Sequence, residues 1–116
     1  MHEPLQAKDK DLAAIDVRIT DPTERAYAAM LHAMDANVAR LLATLTEAGL
    51  RDNTIVVFTS DNGATPHGNN RPLRGGKHSL YDGGVRMPTV IHWPAGALQG
   101  GSWDGLSSSL DMLPTL

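Results

Sequence analysis

The sequence predicts an α/β fold, and three observations point to it. Residues 21 to 49 carry a long apolar stripe at helical spacing. Thr54–Ser60 is a β-branched apolar run, and Thr89–Trp93 is a second one. Helix, strand, long loop and strand in that order read as part of an α/β sandwich, in which helices cover a sheet.

In chain order, residues 1 to 20 show no sustained periodicity, and Asp9 to Val17 reads either as a short helix or as irregular chain. Asp21 then offers an N-cap, Pro22 suits the first helical position, and Glu24 completes a capping-box pattern. Tyr27, Met30, Leu31, Met34, Val38, Leu41, Leu42 and Leu45 recur three or four residues apart, so they share one face. Gly49 is placed as the C′ residue, with Leu50 positioned for the hydrophobic contact that accompanies it. At about 1.5 Å per residue such a helix is roughly 40 Å long. After a turn at Arg51–Asn53, Thr54–Ser60 is apolar without alternation, which suggests cover on both faces, as in a parallel sheet. Residues 61 to 86 read as one long loop rich in Gly, Asn, His and Arg. Pro94 stops the second strand, Gly96–Gly105 is loop-like, and Ser109–Leu116 begins a helix or a short strand.

Composition narrows the function classes. At 116 residues the length suits one domain; 41% apolar and 20% charged residues are ordinary for a globular chain. A formal net charge of −3 with scattered Lys and Arg leaves no footprint for nucleic acid or an anionic membrane. With no cysteine there is neither a disulfide nor a thiolate metal site. The first residues lack the apolar core of a signal peptide, and no apolar run approaches the ~20 residues of a membrane span. The polar opening and the apolar close at Leu113–Leu116 look like a piece of something larger.

The chemistry-bearing residues cluster after the first strand. Asp61 and Asn62 stand at its carboxyl end, where ligands collect in α/β sheets, and both are hard oxygen donors of the type that hold Ca²⁺ or Mg²⁺. Asn62-Gly63 is equally a turn signal, and on the residues alone the two readings balance. A hairpin needs a strand directly after Gly63, which residues 64 to 70 do not supply. Lys77 alone reads as a solvated lysine; its setting in Leu73-Arg74-Gly75-Gly76-Lys77 favours anion contact somewhat more. A loop of about 25 residues in a compact domain is commonly functional. This one gathers Arg71, Arg74, Lys77, His67 and His78, which suits an oxyanion beside a divalent cation. None of these histidines has a partner at a metal-ligand spacing such as H-x₃-H. His32 reads as surface or packing and His92 as structural, while His2 by itself reads as a frayed terminal residue.

Together these segments resemble the sulfatase family, the Ca²⁺-dependent sulfuric ester hydrolases of the alkaline-phosphatase-like superfamily. His2-Glu3-Pro4-Leu5-Gln6-Ala7 is similar to the family's His-x-Pro segment. The helix with Asp35 leads to Asp52–Gly63, then come Leu73–Pro88 and Asp111–Thr115, all in the family's order. The resemblance implies an α/β sandwich of the alkaline-phosphatase/sulfatase type, with a mostly parallel sheet and flanking helices. It implies Asp61 and Asn62 as two Ca²⁺ ligands, Lys77 as a contact to the sulfate group, and His2 near the bridging oxygen. Arg74, Arg86, Asp82 and Gly83-Gly84 are implied as supports of the loop. The implied partners are a sulfated small molecule or sulfated glycan, with neither nucleic acid nor membrane. Members are usually secreted, periplasmic or lysosomal.

The departures bear equally on function. Sulfatases use a formylglycine made within a Cys/Ser-x-Pro-x-Arg motif, and no serine here is followed by that pattern. The family's N-terminal Asp-Asp pair is also missing. Residues 1 to 116 thus correspond to the later part of the catalytic domain, and the isolated chain is expected to be inactive. Two alternatives compete: a non-catalytic Ca²⁺-binding fragment or pseudoenzyme, and a phosphate-ester hydrolase of the wider superfamily. The missing histidine spacing disfavours the second.

Overall fold

A computed structural model describes residues 4–96 and 100–116. Its elements run α1 (Asp9–Ala13), α2 (Pro22–Glu47), β1 (Val56–Thr59), α3 (Asp82–Val85), β2 (Thr89–His92) and α4 (Ser109–Thr115). His2 lies outside the described residues.

The long helix forms where the apolar stripe places it, with Asp21 as its N-cap and Gly49 just past its end. The Asp21 carboxylate accepts hydrogen bonds from the Thr23 and Glu24 amides, which satisfies two of the orphan donors of the first turn. Asp21 makes this cap alone; the reciprocal arm from Glu24 does not form among the described residues. At the other end Gly49 adopts φ 68°, so the Leu50 amide returns to the Leu45 carbonyl and the Gly49 amide to Thr46. Those two bonds are a Schellman ending, and a side chain at Gly49 would be strained there.

The segment before α2 resolves into the short helix α1, which packs on α2. A five-residue helix does not stand by itself. The Arg25 guanidinium holds it, donating to the carbonyls of Leu12, Ile15, Asp16 and Ile19. Asp11 is buried, with its carboxylate 3.4 Å from Nδ1 of the half-exposed His32 on α2. The C-terminal segment is helical because Ser108 and Asp111 form a reciprocal capping box.

The sheet corrects one expectation. β1 and β2 pair antiparallel, with Val56 opposite His92 and Thr59 opposite Thr89, and they form a two-stranded sheet. A parallel pair needs a crossover that carries the chain to the far end of the sheet. Here residues 60 to 88 fold back on themselves at one end, with only the short α3 among them, so the chain re-enters where it left. Cover on both faces is not seen either: Val57, Phe58 and Val90 remain exposed. α2 lies along one side of the pair, and the two bound an open apolar groove of about 390 Å³ lined by Met34, Val38, Leu42, Val56, Phe58 and Val90. Ala29 is the one fully buried apolar residue among those described, so the hydrophobic core is slight.

Candidate functional site

The strand tip and the following loop form one knot of backbone hydrogen bonds. Past β1 the Ser60 hydroxyl donates to the Asn62 carbonyl at 2.8 Å, and this bends the chain out of the strand. The Gly63 amide then donates to the Gly84 carbonyl at 3.0 Å, the Lys77 amide to Ala64 at 3.0 Å, and the Gly83 amide to Arg74 at 2.7 Å. Asn70 adds a side-chain bridge: its Oδ1 accepts from the Ala64 amide and its Nδ2 donates to the Gly75 carbonyl, both at 2.9 Å. Residues 61 to 64 and 74 to 84 are therefore fastened together although they lie far apart in sequence.

Close approach explains the glycines. Gly63, Gly83 and Gly84 are buried, and a Cβ on Gly63 would collide with the Gly83 carbonyl. Gly83 and Gly84 press in the same way on the carbonyls of Gly75 and Ser79. The Gly83-Gly84 pair thus supports the loop, as the family resemblance implies. Gly75 and His78 take left-handed φ of 84° and 73° on either side of Lys77. That is an uncommon conformation for a residue with a side chain, and it marks a locally constrained loop. The Arg74 guanidinium stacks on the Tyr81 ring, 3.8 Å from its centroid.

The predicted site residues fall in this knot, His2 excepted. Asp61 is exposed, and its carboxylate has no hydrogen-bond or ion-pair partner among the described residues; Asn62 is half-buried. Lys77 is half-buried and lines an open cavity of about 430 Å³ together with Ala64, Asn70, Arg71, Leu73 and Gly76. His67 tilts against Tyr27 of α2, with ring centroids 6.4 Å apart, and His78 is exposed. No cluster of three His, Cys, Asp or Glu able to hold a metal occurs among the described residues. The hard oxygen donors of Asp61 and Asn62 suit Ca²⁺, which takes roughly six to eight oxygens, so they fit as part of a cage.

Sequence reading passed over two residues of this site. Asn70 looked like one more polar loop residue, since nothing local to Asn69-Asn70 announces a bridge. Ala64 acts through its backbone amide and carbonyl, which no side-chain pattern can reveal.

Comparison with known proteins gives the family. The family described as Sulfatase matches residues 1–116. Human arylsulfatase A is 42% identical over 88 residues, which cover 72% of this chain and 17% of that protein. Rat (Rattus norvegicus) steryl-sulfatase is 36% identical over 101 residues, covering 78% of this chain and 18% of that protein. Among solved structures, the crystal structure of Ps i-CgsB in complex with k-i-k-neocarrahexaose superposes with a TM-score of 0.76 at 43% identity. It covers 80% of this chain and 21% of that one. The chain thus spans about a fifth of the length of the relatives it matches. The family has the alkaline-phosphatase-like α/β fold and is generally calcium-dependent. With its whole length matched by the family, this chain belongs to the sulfatase family.

Proposed function

We propose that this chain is one part of a sulfatase catalytic domain that hydrolyses sulfate monoesters, and that the 116-residue chain alone is inactive. The observation that carries the reading is the backbone bond from the Lys77 amide to the Ala64 carbonyl, which ties the lysine loop to the segment after β1 that carries Asp61 and Asn62. A cation and two hard oxygen donors on one fastened unit suit an oxyanion held next to a divalent metal.

Asp61 and Asn62 would hold Ca²⁺ with further ligands from outside this chain. Bound there, the cation supplies Lewis-acid stabilisation of the sulfate oxygens. Lys77 provides a positive charge beside those oxygens as the S–O bond breaks, and that charge is worth most where it is already in place. His2 would help the alcohol or phenol depart, by hydrogen bonding or proton donation to the bridging oxygen. The nucleophile has no candidate here, because no Ser-x-Pro-x-Arg occurs and there is no Cys. The mostly parallel sheet with flanking helices belongs to the larger domain, and the exposed β1–β2 pair is its contribution from this chain. The substrate is a sulfated small molecule or sulfated glycan; an oligosaccharide complex among the structural relatives favours the glycan.

Calcium titration followed by amide shifts tests the metal assignment. Responses at Asp61–Gly63 are expected in the wild-type chain and lost in Asp61→Ala. A response that survives that substitution would remove Asp61 from the cage, and no wild-type response would favour an inert chain. Turnover of an aryl sulfate by the isolated chain would contradict its proposed inactivity.

A further inference from the structure

The geometry points to Asn70 as a positioning residue that holds the Lys77 loop in register with the Asp61–Asn62 strand tip. The inference rests on the assignment of Lys77 to the sulfate group.

Asn70 is half-buried and uses both ends of its carboxamide at once. Oδ1 accepts from the Ala64 amide on the strand side, and Nδ2 donates to the Gly75 carbonyl on the lysine side. Ala64 is the node, because its carbonyl takes the Lys77 amide while its own amide goes to Asn70. One planar group thus closes a ring that runs from Ala64 through Asn70 to Gly75, through Gly76 to Lys77, and back to Ala64. A carboxamide offers an acceptor and a donor at the same reach, whereas a carboxylate would set an oxygen against the Gly75 carbonyl. The ring is tightly built: a Cβ at Gly76 would stand 2.7 Å from the Ala64 oxygen and 3.1 Å from Asn70 Nδ2. Neither loop has regular secondary structure at this point, so side-chain bonds of this kind define where its backbone groups sit. Lys77 is two residues beyond Gly75, and its distance from the metal-ligand tip follows from the ring.

Amide hydrogen exchange on the ¹⁵N-labelled chain tests the ring. In Asn70→Ala, exchange at Ala64 and Lys77 should accelerate about tenfold while the interior amides of α2 stay unchanged. In Asn70→Asp the carboxylate still accepts from Ala64, so Ala64 should stay protected while Lys77 is released. Unchanged Lys77 protection in both variants overturns the inference, since the Gly63–Gly84 and Gly83–Arg74 bonds would then suffice. Should the variants fail to fold, the wild-type chain still decides. The Asn70 side-chain amide should exchange more slowly than that of exposed Asn53, and equal rates overturn the ring.

Titration with inorganic sulfate, followed at Gly76 and Lys77, tests the positioning role. The midpoint should rise about fivefold in Asn70→Ala, in line with the loss of a hydrogen bond, and the response should vanish in Lys77→Ala. An unchanged midpoint in Asn70→Ala overturns positioning. Absence of any response in the wild-type chain overturns the Lys77 assignment itself, which is a different result from a failed exchange test.

Discussion

Gly63 and Gly49 show how two glycines that look alike in a sequence do different work. At Gly63 an added Cβ would strike the Gly83 carbonyl, which is backbone and cannot turn aside. Gly63→Ala should therefore force strand tip and lysine loop apart and cost about 1–3 kcal/mol. A urea unfolding curve should show the lower midpoint, and amide shifts should spread from Asp61 to Lys77. At Gly49 the space around a Cβ is empty and the cost is conformational, because φ is 68°. Gly49→Ala should cost about 1–2 kcal/mol, with shifts confined to the end of α2. The Asn-Gly and Gly-Gly pairs were legible as loop signals. That Gly63 faces the Gly83 carbonyl was not, because the two are brought together only when the intervening loop folds back.

At the scale of elements, α1 depends on a residue outside it. Arg25 donates to the carbonyls of Leu12, Ile15, Asp16 and Ile19, which lie at the end of α1 and along its exit. Arg25→Ala should release α1 from α2, seen as fast amide exchange at Leu12–Ile15, with about 1–3 kcal/mol lost in thermal unfolding. A neighbouring pair gives a pH test. Arg18 hydrogen-bonds the Asp16 carboxylate through its side chain and its amide, and this holds the carboxyl below its ordinary 3.8. Its folded-state pKa is depressed, so its contribution is present above pH 3.8 and is lost as pH falls through the lowered value. A carbon-detected carboxyl titration should find Asp16 low in the wild type and raised toward its ordinary value in Arg18→Ala, which removes the side-chain hydrogen bond and keeps the one from the amide. The caps at Asp21 and Gly49 were readable because they are local to α2. The direction of β2 was not, because it depends on where the intervening loop returns the chain.

For the whole molecule, the exposed surface decides the behaviour. The accessible area is 9321 Å², against about 6,100 Å² expected for a folded monomer of this length. The radius of gyration is 16.8 Å, where a compact domain of about 100 residues has roughly 13 Å. Leu31, Met34, Leu41, Phe58 and Val90 remain exposed, several along the groove between α2 and the sheet. Apolar surface on this scale binds dyes and invites association. In native buffer the chain should enhance ANS fluorescence, and Met34→Glu with Phe58→Ser should reduce the signal. No enhancement would mean that the groove closes in solution.

The sequence by itself determined the helix with its caps, the two strands, the candidate residues Asp61, Asn62 and Lys77, and the family. All of these rest on local periodicity, capping chemistry and motif order. Tertiary structure alone decided that the strands run antiparallel, that glycines interlock between two loops, and that Asn70 and Ala64 join the segment after β1 to the lysine loop. Those features are contacts between residues distant in the chain, made largely by backbone groups that every sequence position carries alike.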